Sequence, residues 1–205
     1  MTRQNHKRGF NLIEAAFVLA VVGGVIGGIW VSAAAVYENH KVNKTADGLL
    51  LTAHNMQNLF SMRDIETIGI PAYIRPALVA AGAFPADWVA DGKGVTSQIG
   101  GISWTGWADG AGGGNIMVIA NGGSIRISQV NLNQSSCVKL ASKFSSLTMQ
   151  DIIDAVEIYG LDELDNMISH YVTGTFPISL TSIQDACKDV KNNTLSLFIK
   201  LTRRN

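Results

Sequence analysis

An uncharged apolar run near the start of the chain constrains the fold more than any other feature. It covers residues 15–37, about 23 positions, and a helix of that length crosses a hydrocarbon core about 30 Å thick. Arg3, Lys7 and Arg8 precede the run, and basic residues of this kind stay on the cytoplasmic side of a membrane. The sequence therefore predicts a short cytoplasmic N-terminus, one transmembrane helix and a large domain outside the cytoplasm.

A cleaved secretory signal is an alternative explanation of the same run. Such a signal has a shorter apolar core followed by a small-residue cleavage site, and residues 32–35 offer a site of that kind. The run is long, however, and continues directly into a polar segment that is still compatible with a helix. A retained helix is therefore the favoured interpretation, and release of a soluble domain is the alternative.

The residues that lead into the run form a specific pattern. The string KRGFNLIE at residues 7–14 combines a short basic leader that ends in glycine, an aromatic residue, and a glutamate at the edge of the apolar run. It resembles the type III signal of prepilins, the precursors of type IV pilins. The resemblance implies a leader at residues 1–9, cleavage by a prepilin peptidase between Gly9 and Phe10, and N-methylation of Phe10.

Glu14 is the residue that a simple membrane anchor does not explain, because an unpaired carboxylate at the edge of an apolar helix is costly. Lys7 or Arg8 would pair with it in a plain anchor, whereas the resemblance implies a pair with the Phe10 amine of a neighbouring subunit in a filament. A buried carboxylate and a buried ammonium each cost several kcal/mol alone and coexist in an apolar bundle only as a pair. Glu14 is therefore predicted to control assembly and register.

Four glycines in the run are candidates for close helix packing. They form two overlaid G-x-x-x-G spacings, a pattern that lets helix backbones approach closely. Glycine is also common in membrane helices that have no such contact, so a packing role and a neutral one both remain open. The glycines are Gly23, Gly24, Gly27 and Gly28.

The chain after residue 37 is polar but keeps a helical period, which predicts one helix from residue 10 to about 62. Its second half would pack on a globular domain at residues 63–205. The resemblance implies the type IV pilin fold, an α+β architecture with a long N-terminal helix on an antiparallel sheet. The globular part leans toward type IVb, whereas the short leader and Phe10 are similar to type IVa pilins or pseudopilins.

Short elements separated by turn residues are predicted in the globular part. Strands are expected at 99–107, 115–120, 124–130 and 194–202, the second and third joined as a hairpin and the last half-buried. Helices are expected at 76–81 and 136–144 and around 149–159 and 161–171.

The two cysteines, Cys137 and Cys187, lack the spacing of a zinc site. A disulfide and two unrelated thiols both fit the sequence, and export to an oxidising compartment favours the disulfide, which would contribute about 4 kcal/mol. The layout resembles the C-terminal disulfide-bonded loop of type IV pilins. The resemblance implies that residues 137–187 form exposed filament surface.

No motif indicates catalysis or a cofactor, so neither an enzyme nor a metal site is expected. The glycine-rich segment 106–115 lacks the ending of a phosphate-binding loop. The acidic residues between 151 and 165 do not follow a calcium-loop pattern and are predicted on a solvated helical face. Acidic and basic residues balance at 16 each, which disfavours nucleic-acid binding.

The sequence and the resemblance predict a structural subunit of a type IV pilus that serves adhesion, motility or conjugative mating. Its partners would be further copies of itself, the prepilin peptidase, the inner membrane and the pilus assembly machinery. The precursor would reside in the inner membrane and the mature subunit in an extracellular filament. The alternatives are a minor pilin or type II secretion pseudopilin, and a single-pass anchored periplasmic binding domain in which Glu14 has no assembly role.

Overall fold

The computed structural model describes residues 12–60, 78–90, 94–95, 97–99, 116–121, 124–161, 167–172, 176–188 and 191–200. The chain divides into two compact units, Met1–His40 and Lys41–Asn205.

The first element is a long helix, α1, which covers Leu12–Phe60 and contributes residues to both units. The predicted helix is confirmed over this range, and its predicted ends lie outside the described residues. In the second unit one face of α1 is buried at three- and four-residue spacing, the pattern of a helix that packs on a core. The buried residues are Val42, Thr45, Ala46, Gly48, Leu49, Thr52, Ala53 and Met56.

A five-stranded antiparallel sheet forms the centre of the second unit. Two short strands, β1 (Val89–Ala90) and β2 (Gly94–Val95), precede it and pair with each other. The spatial order of the large sheet is β3-β4-β7-β5-β6, so the C-terminal strand lies in the middle. Its strands are β3 (Ile116–Asn121), β4 (Ser124–Leu132), β5 (Ile153–Leu161), β6 (Met167–Val172) and β7 (Lys191–Ile199).

Two antiparallel strand pairs flank the central strand. The first is β3 with β4, where Asn121 is the partner of Ser124, and this confirms the predicted hairpin. The second is β5 with β6. In the described part of the chain β7 is the only strand that connects the two pairs, since it is hydrogen-bonded to β4 on one side and to β5 on the other.

Successive side chains of a strand point to opposite sides of the sheet, and the central strand has buried residues on both sides. Leu195, Leu197 and Ile199 belong to the same apolar core cluster as the buried face of α1. Ser196 points to the opposite face and is also fully buried. The predicted strand is therefore confirmed in its described part, but the expectation that it is only half-buried is wrong.

Two helices complete the core of the second unit. The helix α2 (Gln134–Phe144) confirms the predicted helix in this region, and it begins at Asn133, whose side-chain oxygen accepts a hydrogen bond from the Ser136 amide at 2.8 Å. The helix α3 (Leu180–Lys188) was not predicted. Its buried residues Ile183, Ala186 and Cys187 have helical spacing within a segment rich in serine and threonine.

The predicted helices around 149–159 and 161–171 are wrong, because the structure places β5 and β6 there. The strand β5 is rich in β-branched residues, and Ile153, Val156 and Ile158 are buried in the core. Cross-strand pairing with β7 over nearly its whole length stabilises it as a strand.

The region between α1 and the sheet is only partly described. Residues 78–80 are helical, in agreement with the predicted short helix at 76–81. A 3-10 helix, Ala86–Trp88, follows, and the Trp88 side chain is buried in the core. The predicted strand at 99–107 lies outside the described residues except for Ile99, which is not part of a strand.

Candidate membrane-anchoring and assembly site

The first unit contains an apolar helical surface that no described residue covers. Apart from half-buried Ala15, all side chains of α1 from residue 12 to residue 37 are exposed, including large ones such as Phe17, Ile29 and Trp30. A continuous apolar surface of this kind is unstable in water and needs an apolar environment. Within α1 this stretch is long and apolar enough to cross a membrane.

Glu14 is the single charged residue of this stretch. It lies in the first turn of α1, its side chain is exposed, and it forms no ion pair with any residue that the structure describes. Gly9 and Phe10, which the resemblance implies as the cleavage and methylation site, lie outside the described residues. Glu14 therefore lies exposed at the start of an apolar helical surface, and Phe10, the partner that the resemblance implies, is outside the described residues.

The four candidate glycines lie on the exposed apolar stretch. A Cβ atom added at Gly23, Gly24, Gly27 or Gly28 would have no other part of the described chain within 4 Å. One turn further on, the Ser32 hydroxyl donates to the Gly28 carbonyl at 3.0 Å, which satisfies that polar side chain within the helix. The backbone at these glycines is therefore accessible to a second helix, and no contact with the described residues requires a glycine there.

The second half of α1 differs, because its polar side chains hold loops of the globular domain. Lys44 forms an ion pair with Asp87 at 2.9 Å. The side-chain amide of Asn55 donates to the Ala83 carbonyl at 3.2 Å, and that of Gln57 donates to the Lys200 carbonyl at 2.8 Å. These contacts fasten two separate parts of the domain, residues 83–87 and residue 200, to one helix.

The ion pair also affects the acidity of its carboxylate. A hydrogen bond from the Lys44 ammonium is the main cause that lowers the pKa of Asp87 below its ordinary value, and the opposite charge of Lys44 adds to the effect. Both side chains are about half exposed, so the pair contributes little to stability.

Gly48 is a functional packing residue that the sequence analysis missed. A Cβ atom at this position would overlap the indole ring of Trp88, which is almost fully buried. The Gly48 carbonyl also accepts a hydrogen bond from the Thr52 hydroxyl at 2.7 Å. The signal in the sequence is a glycine at a buried position of an amphipathic helix, where its low helix propensity needs a compensating reason.

The cysteine pair forms the disulfide that export favours. Cys137 and Cys187 are bonded at an S–S distance of 2.07 Å with their Cα atoms 6.0 Å apart, and both are fully buried. The bond joins α2 to α3. The enclosed region is not simply a surface loop, because it includes β5 and β6, two of the five strands of the sheet.

The described part of the acidic stretch, residues 151–157, is not a solvated helical face, because most of it lies in the strand β5. Asp154 is exposed, but Glu157 is almost fully buried and forms an ion pair with Arg126 at 3.2 Å. The Arg126 guanidinium also lies 6.0 Å from the Tyr159 ring centre and 5.8 Å from that of Phe198. The described residues contain no group of three His, Cys, Asp or Glu side chains placed to hold a metal.

The geometry defines an α+β domain stabilised by a disulfide and carried on an apolar helix that is long enough to cross a membrane. A scan of protein-family models and a search of curated proteins give no match to this chain.

Proposed function

We propose that this chain is the precursor of a type IV pilin-like subunit that is cleaved after Gly9 and polymerises through the first half of α1. The observation that carries the proposal is the exposed, uncharged surface of residues 15–37 with Glu14 at its start. That surface suits a lipid bilayer before assembly and a bundle of identical helices after it.

Glu14 is the assembly residue in this proposal. In a bundle of apolar helices its carboxylate pairs with the Phe10 amine that cleavage creates on a neighbouring subunit. Pairing of this kind sets the axial position of each incoming subunit, because a displaced helix leaves two charges buried and unpaired. The accessible backbone at Gly23, Gly24, Gly27 and Gly28 favours close contact between these helices.

The first test is the intact mass and N-terminal sequence of the full chain expressed with and without a prepilin peptidase. We expect a peptidase-dependent loss of residues 1–9, a new start at Phe10 and the added mass of a methyl group. The variant Gly9→Leu is the matched control and should remain uncut. A chain that stays intact with the peptidase would leave an anchored domain instead, and a cut near residue 35 would indicate a released one.

The second test separates cleavage from assembly. We expect Glu14→Gln to be cleaved normally but to lower filament yield by more than about a hundredfold, since removal of one partner of a buried pair costs about 3 kcal/mol or more per contact. Asp47→Asn removes one negative charge from an exposed position of α1 beyond the apolar run and should assemble normally. Equal yields from the two variants, measured by electron microscopy and sedimentation, would refute the role of Glu14.

A further inference from the structure

The disulfide lies at a particular place relative to the central strand. Cys137 is in the first turn of α2, directly after β4 ends at Leu132. Cys187 is the penultimate residue of α3, shortly before β7 begins at Lys191. The bond therefore joins the end of β4 to the start of β7, although a long segment of chain separates the two strands in sequence.

These two strand ends are also direct neighbours in the sheet. The strands β4 and β7 are antiparallel, and Leu132 at the end of β4 is the partner of Asn193 near the start of β7. In a hairpin the connecting turn occupies this position. We propose that the disulfide acts as the turn of a covalent hairpin, which seats the C-terminal strand beside β4 and so completes the sheet.

Pairing of β4 with β7 brings together residues that are far apart in sequence. Without the bond, pairing of β4 with β7 must close a loop of about 60 residues, whereas with the bond the loop shrinks to about ten. By the logarithmic dependence of closure entropy on loop length, this difference corresponds to a roughly tenfold change in the pairing equilibrium. The bond speeds folding by the same factor if the pairing forms in the transition state.

Burial of the two sulfurs determines the order of events. Both cysteines are fully buried in the finished domain, so an external oxidant reaches them only before α2 and α3 pack. The Cys137 or Cys187 thiolate attacks the disulfide of an external oxidant and forms a mixed disulfide. The second thiolate then displaces the oxidant thiol, so the protein loses two electrons and two protons and the oxidant becomes two thiols. Insertion of β7 follows this step.

Oxidative refolding of the full chain in detergent tests this order. The reduced, urea-unfolded protein is diluted into oxidised glutathione, and samples are alkylated at free thiols and pulse-labelled by hydrogen exchange for mass spectrometry. We expect protected amides in β7 only in molecules that carry no alkylated cysteine. Molecules with free thiols and a protected β7 would overturn the proposal.

A relocated bond tests the hairpin role itself. In the background Cys137→Ser/Cys187→Ser, the pair Leu132→Cys/Asn193→Cys links β4 to β7 directly across the sheet. When this bond is formed before refolding, we expect the β7 amides to become protected from hydrogen exchange roughly ten times faster than in the unlinked double-serine chain. Equal rates in the linked and unlinked chains would show that a bond between β4 and β7 does not help β7 to pair, and would refute the hairpin role. The oxidative refolding of the unmodified chain is a second readout, which does not depend on these variants.

Discussion

The contact between Gly48 and Trp88 decides how closely α1 approaches the domain. The indole ring occupies the space that any larger residue at position 48 would need, and the ring itself is almost fully buried. The glycines of the apolar half have no neighbour within the described chain, so residues of the same type serve different purposes along one helix.

Gly48→Ala is expected to destabilise the domain by about 1–3 kcal/mol, because the added methyl group overpacks a rigid aromatic contact. Urea unfolding of the full chain in detergent, followed by circular dichroism, measures the loss. The matched control is Gly28→Ala on the same helix, where the new methyl group meets open space and the stability of the domain should not change. Equal stability of the two variants would contradict the packing role of Gly48.

At the scale of single elements, Arg126 of β4 and Glu157 of β5 form an ion pair across the strand β7, which lies between them. Glu157 is almost fully buried, and Arg126 lies close to the rings of Tyr159 and Phe198. The hydroxyls of Ser128 and Ser196, which are directly opposite on β4 and β7, are also hydrogen-bonded on this face at 2.7 Å. Polar contacts therefore hold the central strand on the face that does not pack on α1.

Arg126→Met is expected to cost about 2–3 kcal/mol, because it leaves the buried Glu157 carboxylate without its partner. Lys44→Met is the matched control, since it removes the same type of contact where both partners are half exposed, and it should cost less than about 1 kcal/mol. Chemical unfolding of both variants measures the difference. A loss at Arg126 no larger than that at Lys44 would show that Glu157 finds another partner.

The elements that were predicted correctly are those whose own periodicity identifies them. The helix α1, the β3–β4 hairpin, α2 and the final strand β7 belong to this group. The strand β5 does not, because Asp151, Asp154 and Glu157 have the spacing of a helix face. Only the tertiary fold shows that Glu157 is buried against Arg126. The helix α3 has nine residues, which is too short for its apolar residues to show a clear helical period, so its sequence gives a weak local signal.

In the candidate site, the sequence predicts the apolar features of α1 but not the contacts between distant parts of the domain. The apolar run, Glu14 and the four glycines are visible in the sequence because a membrane-compatible helix is a local pattern. Two cysteines allow a single pairing within the chain, so their bond follows once oxidation is assumed. The link between β4 and β7 and the contact of Gly48 with Trp88 depend on strand order and loop placement, which no local pattern specifies.

At the scale of the whole molecule, the central position of β7 makes the sheet depend on the end of the chain. Truncation after residue 190 removes the strand that connects the two strand pairs. We expect the truncated chain to have no cooperative unfolding transition and to be digested rapidly by a protease that leaves the full domain intact. As a control, Leu197→Ala keeps the strand and should cost about 2–5 kcal/mol while unfolding remains cooperative. A cooperative transition in the truncated chain would contradict this dependence.

The central strand β7 also follows in sequence all four of the strands that it holds together. Synthesis proceeds from the N-terminus, so β3, β4, β5 and β6 are made before the strand that the sheet needs at its centre. A product that lacks a small fraction of its length loses the connection between both halves of the sheet rather than a peripheral strand. Copies that end before β7 are therefore expected to leave the edges of β4 and β5 unpaired, and unpaired edges of this kind promote aggregation.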